Sequence, residues 1–276
     1  MLFRIRDYEI NVGEDYTGDK TDIAVVVPVY NEQQTIETVV RKLTTELGLE
    51  RVVIVDDGST DRTPIILDRI SKELPELQVL THKKNIGKGG AIKSALSYLS
   101  TKKFDNTKFV FIIDADMQFD PSYILPISNV LLDNDVVVAT RSKDDMPLKR
   151  KVANLYVDFL YRAVGLNVDI QSGFVGSTTE IAYYRAKNMS NLTRYSVEQE
   201  FFLILANYAY LNKKTVNIAK VTVPCSYEGT NSKIKLKDII KLALIAPINS
   251  YRIGALQIKS AIKKWRSTSQ ERTLSS

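Results

Sequence analysis

Residues 109–120 read FVFIIDADMQFD. Phe109 to Ile113 is an unbroken run of aromatic and β-branched residues, the composition of a strand covered on both faces. That run delivers the chain straight into Asp114 and Asp116. Two carboxylates one residue apart at the exit of a buried strand repel each other, and both lose water. A positive group has to stand beside them, and the rest of the chain has to say which.

On either side of this stretch the first 140 residues alternate short apolar runs with amphipathic segments. Strands are predicted at 22–29, 51–55, 77–80, 108–113 and 135–139, with helices near 33–47, 61–73, 88–101 and 122–132. Strands alternating with helices of this length imply parallel strands joined by right-handed crossovers. Later come helices over 147–165, 178–188 and 197–210 and a strand over 215–223. The fold class is therefore α/β, a doubly wound, mostly parallel and Rossmann-like sheet. Ligands on such sheets bind beyond the carboxyl ends of the strands. The polar residues collect there: Pro28-Val-Tyr30-Asn-Glu32, Asp56-Asp57-Gly-Ser, and Asp114-Ala115-Asp116-Met-Gln118.

The chain has 276 residues, 44% hydrophobic and 25% charged, which suits a folded globular protein rather than a disordered one. The single cysteine, Cys225, excludes an internal disulfide and fits a reducing compartment. The opening MLFRIRDYEI lacks the apolar core of a secretory signal, and no uncharged apolar run reaches the roughly 18 residues of a membrane span. The expected location is cytoplasmic. The net charge of +6 is local: residues 231–276 carry ten Lys/Arg against two acids, leaving an excess of two acids over residues 1–230. A basic tail points to an anionic surface.

Three strand ends carry readable chemistry. Asp114 and Asp116 are either turn residues or, with Gln118 as a further oxygen donor, a site for Mg²⁺ or Mn²⁺, hard cations that also bind substrate phosphates. Their place after a buried strand favours the metal. A carboxylate of Asp56-Asp57 either shapes the turn or accepts a hydrogen bond from a ribose or base. His82-Lys-Lys-Asn-Ile-Gly-Lys88-Gly-Gly is a basic, glycine-rich entry to a helix, able to cradle a phosphate on backbone N–H groups. His82 has no evident carboxylate or serine partner and reads as a turn residue.

VPVYNE, DDGSTD, NIGKGGA and DADMQ, in this order, resemble family 2 glycosyltransferases of the GT-A fold, and in particular the dolichyl-phosphate glucose and mannose synthases. The resemblance spans about residues 23 to 233. It implies an inverting transfer of a hexose, glucose or mannose, from a nucleotide-diphosphate sugar (UDP-glucose or GDP-mannose) to a polyprenyl or dolichyl phosphate. It implies that Pro28, Tyr30, Glu32 and Asp56 line the nucleoside pocket with Asp57 and Lys88 nearby. Asp114, Asp116 and Gln118 would hold the metal, Ala115 would lend a backbone contact, and Arg141 would face phosphate. Asp169-Ile-Gln-Ser-Gly-Phe174 resembles the D-x-x-S-G-F element, and Ser196-Val-Glu198-Gln-Glu200 the acidic helix start. Pro224-Cys-Ser-Tyr227 with Ser232-Lys233 resembles the closing motif, whose lysine meets diphosphate. The arginine usual between that tyrosine and the S-K pair is absent. With a lipid phosphate as acceptor no strong base is needed; with a sugar hydroxyl, Asp169, Glu198 or Glu200 would take the proton.

Residues 1–230 are expected to form the catalytic domain and 231–276 a basic amphipathic helical tail, broken or kinked at Pro247. Tyr251, Ala255, Ile258, Ile262 and Trp265 fall on one helix face, Arg252, Lys259 and Lys263 around it. Such a face either packs on protein or lies on an anionic membrane. A lipid-borne acceptor favours the membrane, hence a peripheral protein on its cytosolic face. No nucleic acid is expected as partner. Sugar-1-phosphate nucleotidyltransferases also use this kind of sheet but open with a glycine-rich phosphate loop, which VPVYNE is not; a nucleotide-sugar sensor would not need Asp114, Asp116 and Gln118 together.

Overall fold

The computed structural model describes residues 1–10, 13–101, 106–141, 148–190, 197–226 and 236–274, with side chains placed for all of these except 148–154, 236–243 and 264–274. The apolar runs form strands β1 (Phe3–Tyr8), β2 (Ile23–Val29), β3 (Arg51–Asp56), β4 (Gln78–Thr81), β5 (Phe109–Ile113), β6 (Val136–Arg141), β7 (Phe174–Thr178) and β8 (Val216–Val223). They make one sheet in the order β1-β8-β6-β7-β5-β2-β3-β4. All neighbours are parallel except β7, which runs antiparallel between β5 and β6. The connecting helices are α1 (Ile36–Arg41), α2 (Thr63–Glu73), α3 (Lys88–Thr101), α4 (Ile124–Leu131), α5 (Leu148–Arg162), α6 (Thr179–Asn188), α7 (Val197–Leu211) and α8 (Leu236–Leu274).

Alternation along β5 explains its uniform hydrophobicity. Phe109, Phe111 and Ile113 face one layer with residues of α1, α2 and α4, while Val110 and Ile112 face the other with α3, α6 and α7. A fully buried side chain of this kind contributes about 1.5–3 kcal/mol, so a strand apolar on both faces anchors both layers at once. Phe111 meets Phe174 of β7 edge-on at 6.1 Å.

Of the eight strands, β1 and β7 are absent from the sequence reading. β1 sits at the sheet edge and alternates apolar with charged residues, so its periodicity lacks the continuous run of its neighbours. β7 carries Gly176 in place of a bulky residue, because a Cβ there would lie 2.6 Å from the Phe111 ring. Its small residues hide a strand in a segment that reads as a turn.

The C-terminal helix differs from expectation. α8 runs through Pro247 without a break. It packs against α7 and α5, burying Ala246 and Ile253 in the cluster that holds Val157 and Tyr161. Ser250 Oγ donates to Leu160 O at 2.6 Å, a further tie between the two helices. Contacts made by side chains on both sides of the proline hold the helix where its missing N–H would otherwise weaken it.

Candidate active site

The sheet opens where its strand order reverses, between β2 and β5. Pairing of these strands stops at Val26↔Ile112, whereas β2 stays paired with β3 as far as Val29↔Asp56. Pro28 lies in that last stretch and has no N–H for a ladder on the β5 side. The two tips therefore part, leaving a crevice flanked by the loops after β2, β3 and β5. Such a crevice is where ligands bind on open α/β sheets.

The first two loops are stitched together. Asn31 adopts φ 55°, a left-handed conformation that asparagine tolerates better than most residues. Its Oδ1 accepts from Thr60 N at 2.8 Å, and its own N–H donates to Ser59 Oγ at 2.9 Å. Glu32 N donates to Thr63 Oγ1 at 2.9 Å, and Asp56 Oδ1 accepts from Ser59 N at 3.0 Å. Asp61 caps the start of α2 through Thr63 N at 2.9 Å. Burial opposes its ionisation, but hydrogen bonds from Thr63 and Gln33 outweigh that and hold its carboxyl below the usual range. Pro28 and Glu32 are half-buried, Tyr30 is exposed and Asp56 is buried, all four along one rim of the crevice.

The loop after β5 forms the other rim. Asp114 N donates to Gly173 O at 3.0 Å, and a Cβ on Gly173 would stand 2.1 Å from Asp114 Oδ2, so only glycine leaves that carboxylate room. Met117 takes φ 59°, a strained value for its residue type. The turn brings Gln118 N within 3.1 Å of Asp116 Oδ1. Gln118 O accepts from Ser226 N at 3.0 Å, tying the loop to the segment after β8.

Positive charge comes from two other elements. Lys88, the first residue of α3, places Nζ 2.6 Å from Asp114 Oδ1 and 2.6 Å from Glu198 Oε1 of α7. Burial by itself would lower the Lys88 pKa, but the two carboxylates outweigh it and push it up. Arg141, at the end of β6, donates from Nη2 to Gln171 O at 2.7 Å and holds Nε 3.6 Å from Asp169 Oδ2. Burial and then the charge of Asp114 raise the Asp116 pKa, against the Gln118 N–H, Lys88 and Arg141. Within the protein, Lys88 and Arg141 are the positive groups that the two aspartates require.

Among the described residues no three His, Cys, Asp or Glu side chains cluster at metal-binding spacing. Two carboxylates with a side-chain amide nearby nevertheless fit Mg²⁺ or Mn²⁺, which typically take one or two carboxylates and complete their shell with substrate phosphates and water. The donors are hard oxygens, and burial followed by the charge of Asp114 opposes ionisation of Asp116, which a dication would favour.

Four sequence expectations change. Asp57, expected near the nucleoside, is committed to the chain itself: Oδ1 meets His82 Nδ1 at 2.7 Å and Ile86 N at 3.0 Å, and Oδ2 accepts from Gly87 N at 2.7 Å. The N–H groups of Ile86 and Gly87 are thereby occupied and do not cradle a phosphate. His82 does have partners, Asp57 on one ring nitrogen and Ser94 Oγ at 2.9 Å on the other. Glu200 turns to the end of α6, where Oε1 accepts from Ser190 N at 2.8 Å; Glu198 is the acid brought to the aspartates. Lys233, Ser196, Tyr227 and Ser232 lie outside the described residues, as does the side chain of Trp265. Sequence reading missed Arg185 of α6, which is buried with its guanidinium 4.4 Å over the Phe201 ring. Burial lowers its pKa to about 10 against the charges of Glu198 and Glu200. Nothing in its local sequence marks it.

A sheet opened at its switch point, with a D-x-D loop on one rim and the linked β2 and β3 loops on the other, is the arrangement of the GT-A fold. Solved structures share it. Glucosyl-3-phosphoglycerate synthase from Mycobacterium tuberculosis, in complex with Mn²⁺ and UDP-glucose, superimposes with a TM-score of 0.60 at 20% identity, covering 84% of this chain and 79% of that one. The family profile of glycosyl transferase family 2 matches residues 24–190, and the chain belongs to that family. An uncharacterized protein of Methanocaldococcus jannaschii is 31% identical over 240 residues, 82% of this chain and 93% of its own length. The UDP-N-acetylglucosamine–dolichyl-phosphate N-acetylglucosaminyltransferase of Methanococcus voltae is 26% identical over 251 residues, 81% of this chain and 95% of its own. The undecaprenyl-phosphate 4-deoxy-4-formamido-L-arabinose transferase of Salmonella paratyphi B is 30% identical over 146 residues, half of this chain and 42% of its own.

The contact between Gly173 and Asp114 gives a direct test. In Gly173→Ala the new methyl group displaces the Asp114 carboxylate, so Mn²⁺ affinity measured by equilibrium dialysis should fall about tenfold. Thermal unfolding should shift by only a few degrees. Unchanged Mn²⁺ affinity in a folded variant would show that Asp114 does not need that space.

Proposed function

We propose that this chain is an inverting, metal-dependent hexosyltransferase that moves the sugar of a UDP-sugar onto a polyprenyl phosphate. The observation that carries the reading is the Asp114–Asp116 pair at the exit of β5, flanked by Lys88 and Arg141. UDP is preferred over GDP because the Methanococcus voltae relative and the solved synthase are both named with uridine diphosphate donors. Glucose is the hexose to test first, because NIGKGGA resembles the glucose-transferring synthases more than the mannose-transferring ones.

The residues divide the work as follows. Pro28, Tyr30, Glu32 and Asp56 line the nucleoside side of the crevice, on loops whose mutual hydrogen bonds leave them little freedom. Asp114, Asp116 and Gln118 would hold the dication, with the Ala115 backbone between them. When bound, it supplies electrostatic stabilisation of the negative charge that develops on the departing diphosphate. Arg141 adds positive charge beside Asp116 from a position fixed by Gln171 and Asp169. Lys88 stands as a second cation against Asp114, and Lys233 is a candidate for diphosphate contact.

A phosphate acceptor is the better fit for the acids present. Asp169 Oδ1 is taken by Gln171 N at 3.0 Å and Oδ2 faces Arg141; Glu200 is held by Ser190 N. Glu198 closes on Lys88. Each candidate base for a hydroxyl acceptor is engaged, whereas an acceptor phosphate arrives already ionised and needs none. The assay is transfer of radiolabel from UDP-glucose, UDP-N-acetylglucosamine or GDP-mannose to dolichyl phosphate with Mn²⁺. Labelled lipid is expected with a UDP donor, falling at least a hundredfold in Asp114→Ala/Asp116→Ala. No labelled lipid with any of the three donors would remove the reading.

Residues 1–230, with Lys233 just beyond them, carry the transfer chemistry in this account, and the rest of 231–276 the contact with a membrane. No helix among the described residues is long and apolar enough to cross a bilayer. α8 exposes Leu244, Ile248, Tyr251, Ile258 and Ile262, with Arg252, Lys259 and Lys263 also exposed. On α5, which packs beside it, Leu155, Tyr156 and Phe159 are exposed too. Apolar residues edged by cations suit an anionic lipid surface on the cytosolic side. Co-sedimentation with vesicles containing 30% phosphatidylserine should be strong at low salt and about fivefold weaker with neutral vesicles, since each basic residue near the surface contributes about 1 kcal/mol. Equal binding to both vesicle types would remove the electrostatic part of this proposal.

A further inference from the structure

One contact in the site runs against the metal reading, because Lys88 Nζ occupies Asp114 Oδ1 at 2.6 Å. A dication bound to the same carboxylate would stand a few ångströms from the ammonium, and at that range like charges repel strongly. The lysine has a second seat at the same distance, Glu198 Oε1. Glu198 comes from α7, on a different element from the metal loop, and its side chain is 16% exposed while that of Lys88 is 25% exposed. A small cavity is lined by Lys88, Ser172, Gly173, Arg185, Glu198 and Phe201. Space and a second carboxylate partner for the lysine therefore lie together in that cavity.

We propose that Lys88 is a built-in counter-cation that occupies Asp114 when no metal is present and withdraws onto Glu198 when a dication enters. Glu198 acts here as the dock that lets the lysine leave Asp114 without losing its partner. The pair sets how tightly the bare enzyme binds metal: a lysine resting on Asp114 competes with the ion, and a donor bringing its own diphosphate overcomes the competition. Metal and nucleotide then bind with positive coupling, because each alone meets a less favourable site than both together. This rests on the metal reading above and refines it.

Three elements constrain the exchange. Asp114 is held by Gly173 through its backbone, so the carboxylate stays in place as the lysine moves. Glu198 also shares that cavity with Arg185, whose buried Nε has no hydrogen-bond partner among the described residues. Lys88 is the first residue of α3, so its side chain can swing without disturbing an interior helical turn.

The test is Mn²⁺ binding to the full chain without nucleotide, followed by loss of the free-ion electron paramagnetic resonance signal. Lys88→Met should bind Mn²⁺ about tenfold tighter than wild type, because the competing charge is gone. Glu198→Gln should bind it about threefold more weakly, because the lysine then leans on Asp114 alone. A lysine with a merely structural role would give the opposite sign for Lys88→Met, and so would a lysine that helps to hold the metal. Equal affinity of wild type and Lys88→Met, including both below detection, overturns the proposal. Should Lys88→Met fail to fold, Glu198→Gln decides, and wild-type affinity or tighter overturns it. Asp114→Asn separates this from the underlying reading: if it binds Mn²⁺ as wild type does, the metal is not at Asp114 and the functional proposal falls with this one. If Asp114→Asn loses the ion while Lys88→Met fails to tighten it, only the lysine exchange is wrong.

Discussion

Repulsion between Asp114 and Asp116 is the constraint from which the rest of the site follows. The exit of β5 sets two half-buried carboxylates side by side, each partly stripped of water and repelling the other. The protein meets that cost with cations from distant parts of the chain, Lys88 at the start of α3 and Arg141 at the end of β6. Neither lies near the aspartates in sequence. Both arrive because the sheet order sets β5 between β2 and β7, with β6 one strand further on.

Around that pair the loops are stiffened by hydrogen bonds to the backbone. Asn31, Asp56 and Asp61 each satisfy N–H groups of the β2 and β3 loops, and Asp57 does the same for the loop leading into α3. Backbone groups satisfied in this way do not compete for a ligand, and the side chains facing the crevice are held in place before one arrives. Asp57 shows the division most clearly. It is adjacent to Asp56 in sequence, yet its carboxylate builds the scaffold and leaves Asp56 as the acid at the strand tip.

The legibility of the sequence varies with the physical signal. Strands buried on both faces, such as β2 and β5, carry a continuous apolar run that needs no context. β7 does not, because its glycine is dictated by the neighbouring Phe111 ring, a tertiary fact. The D-x-D loop stands out because acids at the end of a buried strand are costly without a purpose. The division of labour between Asp56 and Asp57, and between Glu198 and Glu200, is not readable in the sequence, since residues one or two apart differ only in the direction the backbone gives them. The partners of His82 and the burial of Arg185 were hidden for the same reason. Pro247 illustrates the opposite case: a local helix breaker overruled by the packing of Ala246 and Ile253.

The central claim is that a dication held by Asp114 and Asp116 completes its coordination with the diphosphate of a bound nucleotide. Isothermal titration of UDP and of GDP into the full chain, each with Mn²⁺ and with chelator, examines it most directly. The account predicts that UDP binds at least tenfold more tightly with Mn²⁺ than without, that GDP binds more weakly than UDP, and that the metal dependence disappears in Asp114→Asn/Asp116→Asn. UDP affinity that is indifferent to Mn²⁺, or metal dependence that survives the loss of both carboxylates, would contradict it.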